Sequence, residues 1–316
     1  MCEREQYRTF PQVLLLGNGL NRLVESSGWG DLLVQIKKNP KIYMDDKLCR
    51  SLPYPLLAVL ATDDRVDRAI KENQKLFCGA SDNAMEELRP YLQQLLSMGF
   101  DDILTTNYSY ELERAAYENI TQERALCQKW MHHTEEVPRA EQKYLLHTYN
   151  AVSYQGIRNR VWHIHGEARK PDSLILGHYY YGKLFFKYQE LLNKRGNRQF
   201  VLEQQGKPPI MESWLDAFLL GDVYVLGFGY DYSEFDLWWL LNRKKREQAS
   251  HGTLYFYAPA AGNELKFALL ETYGAKIECL GFRHQNPDYK AFYQEAIADI
   301  QSRVNSVKGK REIEQN

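Results

Sequence analysis

The residues with the clearest chemical potential stand at the ends of four short apolar runs. Asn107 closes Ile103–Asn107 (ILTTN), and His165 stands at the end of Val161–Gly166 (VWHIHG). Gly-x-Gly turns close Val13–Asn21 (VLLLGNGLN) and Val223–Asp231 (VYVLGFGYD). An asparagine side chain offers a carbonyl acceptor and an amide donor, so Asn107 could orient a water or hold a ribose hydroxyl. Histidine titrates in the range useful for proton transfer, which makes His165 the candidate base at a strand end. Thr105, Thr106 and Asn107 also fit a helix cap, because Thr and Asn favour helix N-termini. His163 is two residues before His165 and on a strand would share its face; it reads as a packed or hydrogen-bonded residue. Paired histidines can bind metal, but no carboxylate or cysteine sits at a supporting spacing, so no metal is expected.

The glycine turns suit a phosphate group. In Gly17-Asn18-Gly19 the first glycine permits a tight turn and the second lets a pyrophosphate approach the backbone and the amides of the following helix. Arg22 stands where a third glycine is usual. Asn21 and Arg22 add polar and positive groups there, although Arg22 equally fits a solvated helix start. Gly227-Phe228-Gly229-Tyr230 forms a second turn able to contact ribose or phosphate. Ser233 fits a helix cap, with Asp236 completing a capping-box variant.

These residues need a sheet to bring them together. Strands are expected at Val13–Leu16, Asp102–Thr106, Val161–His165, Ser173–Gly177, Val223–Leu226, Thr253–Tyr257 and Lys276–Leu280. Helical patterning lies between them, at Gly28–Lys38 and on to about Met98, from Tyr108, and at Tyr179–Lys194, Ile210–Leu220, Ser233–Arg246 and Pro287–Val304. Residues 197–209 read as a polar loop. The alternation predicts an α/β fold with a Rossmann-like, doubly wound, mostly parallel sheet and helical insertions. One domain is expected over residues 1–308, with insertions at about 36–98 and 117–158 and a flexible tail at 309–316. The Tyr179–Tyr181 run reads as packing on the sheet, and Trp238-Trp239 as core or interface.

Composition narrows the function. Lys and Arg number 40 against 41 Asp and Glu, which argues against bulk electrostatic binding of nucleic acid. No apolar run approaches the ~20 residues of a membrane span, and the N-terminus MCEREQYRTF lacks an apolar signal core, so a cytoplasmic location is expected. Cys2, Cys49, Cys78, Cys127 and Cys279 are scattered and include no C-x-x-C pair. Neither a disulfide framework nor a cysteine zinc site is indicated.

Taken in order, the four segments resemble the sirtuin-like (silent information regulator) family. They look most like its bacterial branch of NAD-consuming immune effectors, of which the Thoeris effector is an example. Gly17–Asn21 matches the family's phosphate turn. Gly28–Leu32 (GWGDL), with Asp31, sits where sirtuins carry Gly-Ile-Pro-Asp-Phe. Thr105–Ser109 (TTNYS) matches Thr-Gln-Asn-Ile-Asp and aligns Asn107 with the family's catalytic asparagine. His165-Gly166 matches the catalytic His-Gly pair, and Leu176–Tyr181 (LGHYYY) the segment that follows it. Gly227–Asp231 stands at the later turn that contacts the adenosine ribose.

The resemblance covers roughly residues 12–36, 100–115, 160–187 and 221–260, and there are departures from the pattern. Protein-deacylating sirtuins carry a four-cysteine zinc module after His-Gly, whereas this chain has no cysteine between 128 and 278. The motif Gln is Thr106, and the motif Asp is Ser109. The resemblance therefore implies NAD as substrate without zinc, and cleavage of the nicotinamide–ribose bond by Asn107 and His165. It further implies a regulated anti-phage effector, controlled by homo-oligomerisation, a partner protein or both, with residues 36–98 as the candidate interface. The alternatives are a non-catalytic NAD or ADP-ribose sensor, and a protein deacylase or ADP-ribosyltransferase.

Overall fold

The structure is a computed structural model. It describes residues 10–25, 29–38, 51–73, 79–122, 134–136, 144–204, 210–246, 252–259, 264–280 and 288–315. Gly28, Cys2, Cys49, Cys78, Cys127 and four of the histidines (His132, His133, His251 and His284) lie outside the described residues.

Among the described residues eight strands form one sheet, in the order β3 (Thr134–Glu136), β4 (Thr148–Tyr154), β5 (Ile157–His163), β2 (Asp102–Thr105), β1 (Gln12–Leu16), β6 (Asp222–Leu226), β7 (Leu254–Pro259) and β8 (Lys276–Leu280). The central strands β1 (Gln12–Leu16), β2 (Asp102–Thr105) and β6 (Asp222–Leu226) are nearly continuous apolar runs, as expected for strands covered on both faces. Their side chains alternate between two cores. Val13, Leu15, Val223 and Val225 face one layer, while Leu14, Leu16, Tyr224 and Leu226 face the other. β7 (Leu254–Pro259) and β8 (Lys276–Leu280) extend the sheet in parallel beyond β6. β5 (Ile157–His163) pairs in parallel with β2. The doubly wound, mostly parallel α/β sheet expected from the sequence is present.

Helices cover both faces. α1 (Trp29–Ile36), α2 (Tyr54–Thr62) and α3 (Val66–Glu72) form a satellite layer beside the sheet edge. α4 (Asp82–Ser97) starts at Ser81, whose hydroxyl accepts from the Ala84 amide, and packs Met85, Leu88 and Leu92 onto Leu14 and Ile103. That helix covers the sheet and is more than an insertion. α5 (Glu111–Ala115) follows β2 on the same face. The opposite face carries α7 (His178–Gln204), α8 (Trp214–Leu220), α9 (Phe235–Arg246) and α10 (Glu264–Thr272), and the last helix, α11 (Tyr289–Gln315), returns to the α4 side.

Four expectations are corrected. Residues 117–158 were expected as a helical insertion, but their second half enters the sheet. After the short α6 (Tyr144–His147), β4 (Thr148–Tyr154) forms an antiparallel hairpin with β5, and β3 (Thr134–Glu136) pairs with β4. Gln155 and Gly156 both take left-handed φ values, +49° and +79°, which matches the twist a two-residue hairpin needs. Ser173–Gly177 is no strand. It lies past the sheet edge, where the Ile175 amide donates to the His165 carbonyl. Helix α7 runs through the expected polar loop as far as Gln204, because its glycine- and proline-rich breaker (Gly206 to Pro209) comes later. Finally, α11 continues through the supposed tail to Gln315. Lys308 donates to the Met98 carbonyl, and Arg311 binds Asp101 and the Phe10 carbonyl, so this end is tied down. No described helix is long and apolar enough to cross a membrane.

Candidate functional site

The chain leaves β1 for β2 and β5 on one side, then returns to β6 on the other. β1 and β6 therefore flank the topological switch point, where open α/β sheets bind ligands beyond their carboxyl ends. The register aligns Leu16 with Thr105 and Leu226, and Thr105 with His163. The Gly17, Asn107, His165 and Gly227 segments thus emerge side by side.

The two glycine turns lock onto each other. Gly17 donates its amide to the Leu226 carbonyl at 2.9 Å, and Gly19 donates to the Gly227 carbonyl at 2.7 Å. A Cβ on Gly17 would lie 2.6 Å from both the Gly227 oxygen and the Phe228 Cα. The glycines let the turns touch, and these two amides are already committed to the backbone. The amides of the following helix, which the sequence suggests for a pyrophosphate, are separate from these two. Asn21 is buried and donates to the Asn18 side-chain oxygen, while Arg22 stands exposed beyond it. Phe228 and Tyr230 turn their rings into the core under α9, where the Tyr230 hydroxyl donates to the Leu237 carbonyl. Only their backbone lines the edge. Gly229 is exposed, and its carbonyl accepts from Lys266. Asp31 is exposed on the first turn of α1, whose inner face packs with Tyr108 and Leu176.

Asn107 is set by its own strand end. Its amide donates to the Thr105 hydroxyl at 3.1 Å, and its carbonyl bonds to His163 Nδ1 at 2.8 Å. Its side-chain Oδ1 is sealed from solvent and has no hydrogen-bond partner among the described residues. A buried amide oxygen without a donor is costly, which points to a group that arrives with a ligand or a water. Thr105 is buried, and Thr106 is half-buried beside it.

The two histidines part company, contrary to the expectation that they share a face. β5 ends at His163, and the Gly166 amide bonds back to the His163 carbonyl in a tight turn with Gly166 at φ +92°. His163 points to the α5 side and bonds Glu113 Oε1 at 2.9 Å, while Glu113 also accepts from Asn150. Burial pushes the His163 imidazole down, but Glu113 outweighs it and holds the ring above its ordinary value. Burial likewise pushes Glu113 up, and His163 overcomes this to hold it low. This buried ion pair positions the strand end through the Asn107 carbonyl.

His165 faces the opposite layer and is 1% exposed. Its Nε2 bonds Asp236 Oδ2 at 3.0 Å, and Glu234 Oε2 lies 3.8 Å from Nδ1. Tyr181 donates to Glu234 and packs edge-on against the imidazole. Burial alone would lower the His165 pKa; the two carboxylates reverse this and raise it. Glu234 is pushed up to about 7, chiefly by burial, against the pull of His165. Asp236 therefore does not complete a helix-capping box; Ser233 instead bonds Asp231. The premise that no carboxylate supports the histidines is also corrected, since the fold delivers two to His165. A signal for them was available: Glu234 and Asp236 directly follow the second glycine turn, so they enter α9 at the same sheet edge as His165.

A family model described as a SIR2-like domain matches residues 101–278, more than half of the chain and all of the Asn107, His165 and Asp236 segments. No curated protein matches the chain.

Proposed function

The chain belongs to the SIR2-like domain family, whose members use NAD as a substrate, and on that premise we propose that it is an NAD hydrolase. The reaction breaks the bond between the ribose anomeric carbon and the nicotinamide nitrogen. A water oxygen takes that position on the carbon, giving nicotinamide, ADP-ribose and a proton. Nicotinamide leaves as a neutral molecule from a cationic ring, so the protein's work is to hold the ribose, exclude bulk water and admit one water.

The observation that carries this reading is the unpartnered Oδ1 of Asn107 at the sheet's switch point. It suits a water or a ribose hydroxyl as donor. His165 is the second participant, because it follows β5 and β5 pairs with β2, the strand that Asn107 follows. Asn18, Asn21 and Arg22 at the first turn, and the backbone of Gly227 to Tyr230 at the second, suit the phosphate and adenosine end. Thr105 and Thr106 beside Asn107, and Asp31 on α1, are the remaining residues assigned to NAD in this reading.

The resemblance of the four segments to the bacterial branch extends the proposal to a regulated anti-phage effector acting in the cytoplasm. A constitutive NAD hydrolase would deplete its own host, so activity is released by self-assembly or a partner protein. A second reading, a non-catalytic NAD or ADP-ribose sensor, draws on the near-complete burial of His165. Chromatographic quantitation of products separates the readings. Equal amounts of nicotinamide and free ADP-ribose support the hydrolase. Binding without either product supports the sensor, and nicotinamide with ADP-ribose or an acyl group moved to or from a protein supports a transferase or deacylase.

A further inference from the structure

Eight tyrosines are buried among the described residues, and seven of them donate their hydroxyls to a carbonyl or a side-chain oxygen. Tyr293, on α11 and 4% exposed, is the exception: its hydroxyl bonds to no described residue. The ring is held in the core that contains Leu16 and Leu20, edge-on to Phe292 at 4.9 Å. A phenylalanine would fill that space as Phe292 does, so the oxygen answers no packing need. Buried tyrosine hydroxyls normally find a partner, and this one has none within the fold.

The hydroxyl stands where the two glycine turns meet. The point that a Gly19 Cβ would occupy is 2.6 Å from the Tyr293 oxygen, 2.7 Å from the Gly227 oxygen and 2.9 Å from the Gly227 Cα. The missing side chain thus admits the phenol to the switch point. Burial and then Tyr289 raise the phenol above its ordinary value, and the nearby Arg22 guanidinium pulls against them. Tyr293 therefore stays an O–H donor at neutral pH. Arg22 has no ion pair among the described residues. Gly17 and Gly19 have given their amides to Leu226 and Gly227, and the helix after the first turn is the short Asn21–Leu23. An anion at this edge must draw on side-chain donors. We propose that Tyr293 is a further ligand-binding residue of the site, its hydroxyl donating to the diphosphate of NAD beside the Arg22 charge. The proposal rests on the NAD reading and extends the site to a helix beyond the matched residues 101–278. A hydroxyl on a charged oxygen is among the stronger hydrogen bonds, and the packed ring presents it at no cost in side-chain ordering.

The test is isothermal titration calorimetry of the full chain with ADP-ribose, inorganic pyrophosphate and adenosine, in wild type and Tyr293→Phe. The substitution removes one oxygen and keeps the ring, so Tm should be unchanged. ADP-ribose and pyrophosphate should each bind about 10-fold more weakly in the variant, and adenosine equally well. In NAD turnover KM should rise by a similar factor with kcat little changed, a split that a structural defect would not produce. In tyrosine-labelled wild type, the Tyr293 Cζ NMR signal, assigned through its contacts with Phe292, should move with ADP-ribose or pyrophosphate and stay in place with adenosine. Equal ADP-ribose affinity in the two proteins overturns the proposal and leaves the NAD reading intact. A loss that adenosine shares also overturns it, and so does a wild-type Tyr293 signal that neither phosphate moves, whatever the variant does. Tyr293-dependent binding of pyrophosphate without binding of ADP-ribose supports the anion site and counts against the NAD reading alone.

Discussion

Replacing Gly17 with alanine tests whether the first glycine turn serves chiefly to let two strand ends meet. The new Cβ would lie 2.6 Å from the Gly227 oxygen, 2.6 Å from the Phe228 Cα and 2.7 Å from the Phe228 Cβ. Two of these atoms are backbone, and the third sits on a core side chain, so no flexible tip can swing away. Overpacking of this kind costs about 1–3 kcal/mol. Parting the turns would also weaken the bonds from Gly17 and Gly19 to Leu226 and Gly227, at about 1 kcal/mol each. A total near 3 kcal/mol corresponds to a fall in Tm of roughly 4–6 °C in a chain of this size. Two other glycines serve as controls. A Cβ on Gly229 or Gly182 meets nothing within 4 Å. Gly229→Ala should leave Tm nearly unchanged, and Gly182→Ala, on an exposed turn of α7, should raise stability by about 0.5–1 kcal/mol. Differential scanning calorimetry of the three variants decides the matter. Equal melting of Gly17→Ala and Gly229→Ala would refute the reasoning and return the first turn to a purely ligand-binding role.

Three further perturbations follow from the site. Asn107→Ala removes an oxygen that has no partner, so melting should hold within about 0.5 kcal/mol of wild type while NAD turnover falls at least about 100-fold; a large loss of stability would mean that Oδ1 has a structural donor. The His163–Glu113 pair should support the fold most between the two ordinary pKa values, about 4.3 and 6.5. Below that window its contribution is lost as pH falls through the depressed pKa of Glu113, and above it as pH rises through the elevated pKa of His163. The melting difference between wild type and His163→Asn should therefore be widest inside the window, and a pH-independent difference contradicts it. Because Glu234 is pushed up to about 7, turnover should rise with pH through neutrality, and Glu234→Gln should flatten that limb of the pH–rate profile.

The central strands were legible because an apolar run between polar turns has few other uses, and β1, β2 and β6 fall within a residue or so of their sequence positions. The strand-end placement of Asn107 and His165 was legible for the same reason. What the sequence did not reveal depends on which layer a side chain enters after its strand has ended. His163 and His165 keep strand spacing, but the turn at Gly166 sends them to opposite faces. Asp236 follows a plausible helix cap at the right spacing; its place just after the second glycine turn puts it at the His165 edge, and the packing of α9 against α7 turns it onto the ring. The hairpin of β4 and β5 escaped because its strands are mixed in polarity and its turn, Gln155-Gly156, carries a weak signature.

The most direct test of the central claim is nicotinamide release from NAD by the purified full chain, with Asn107→Ala and His165→Ala run beside it and melting measured on all three. Release by wild type, with loss in both folded variants, is the predicted result. Undiminished release in a folded Asn107→Ala protein would contradict the proposal, because the unpartnered oxygen at the switch point would then have no part in the reaction.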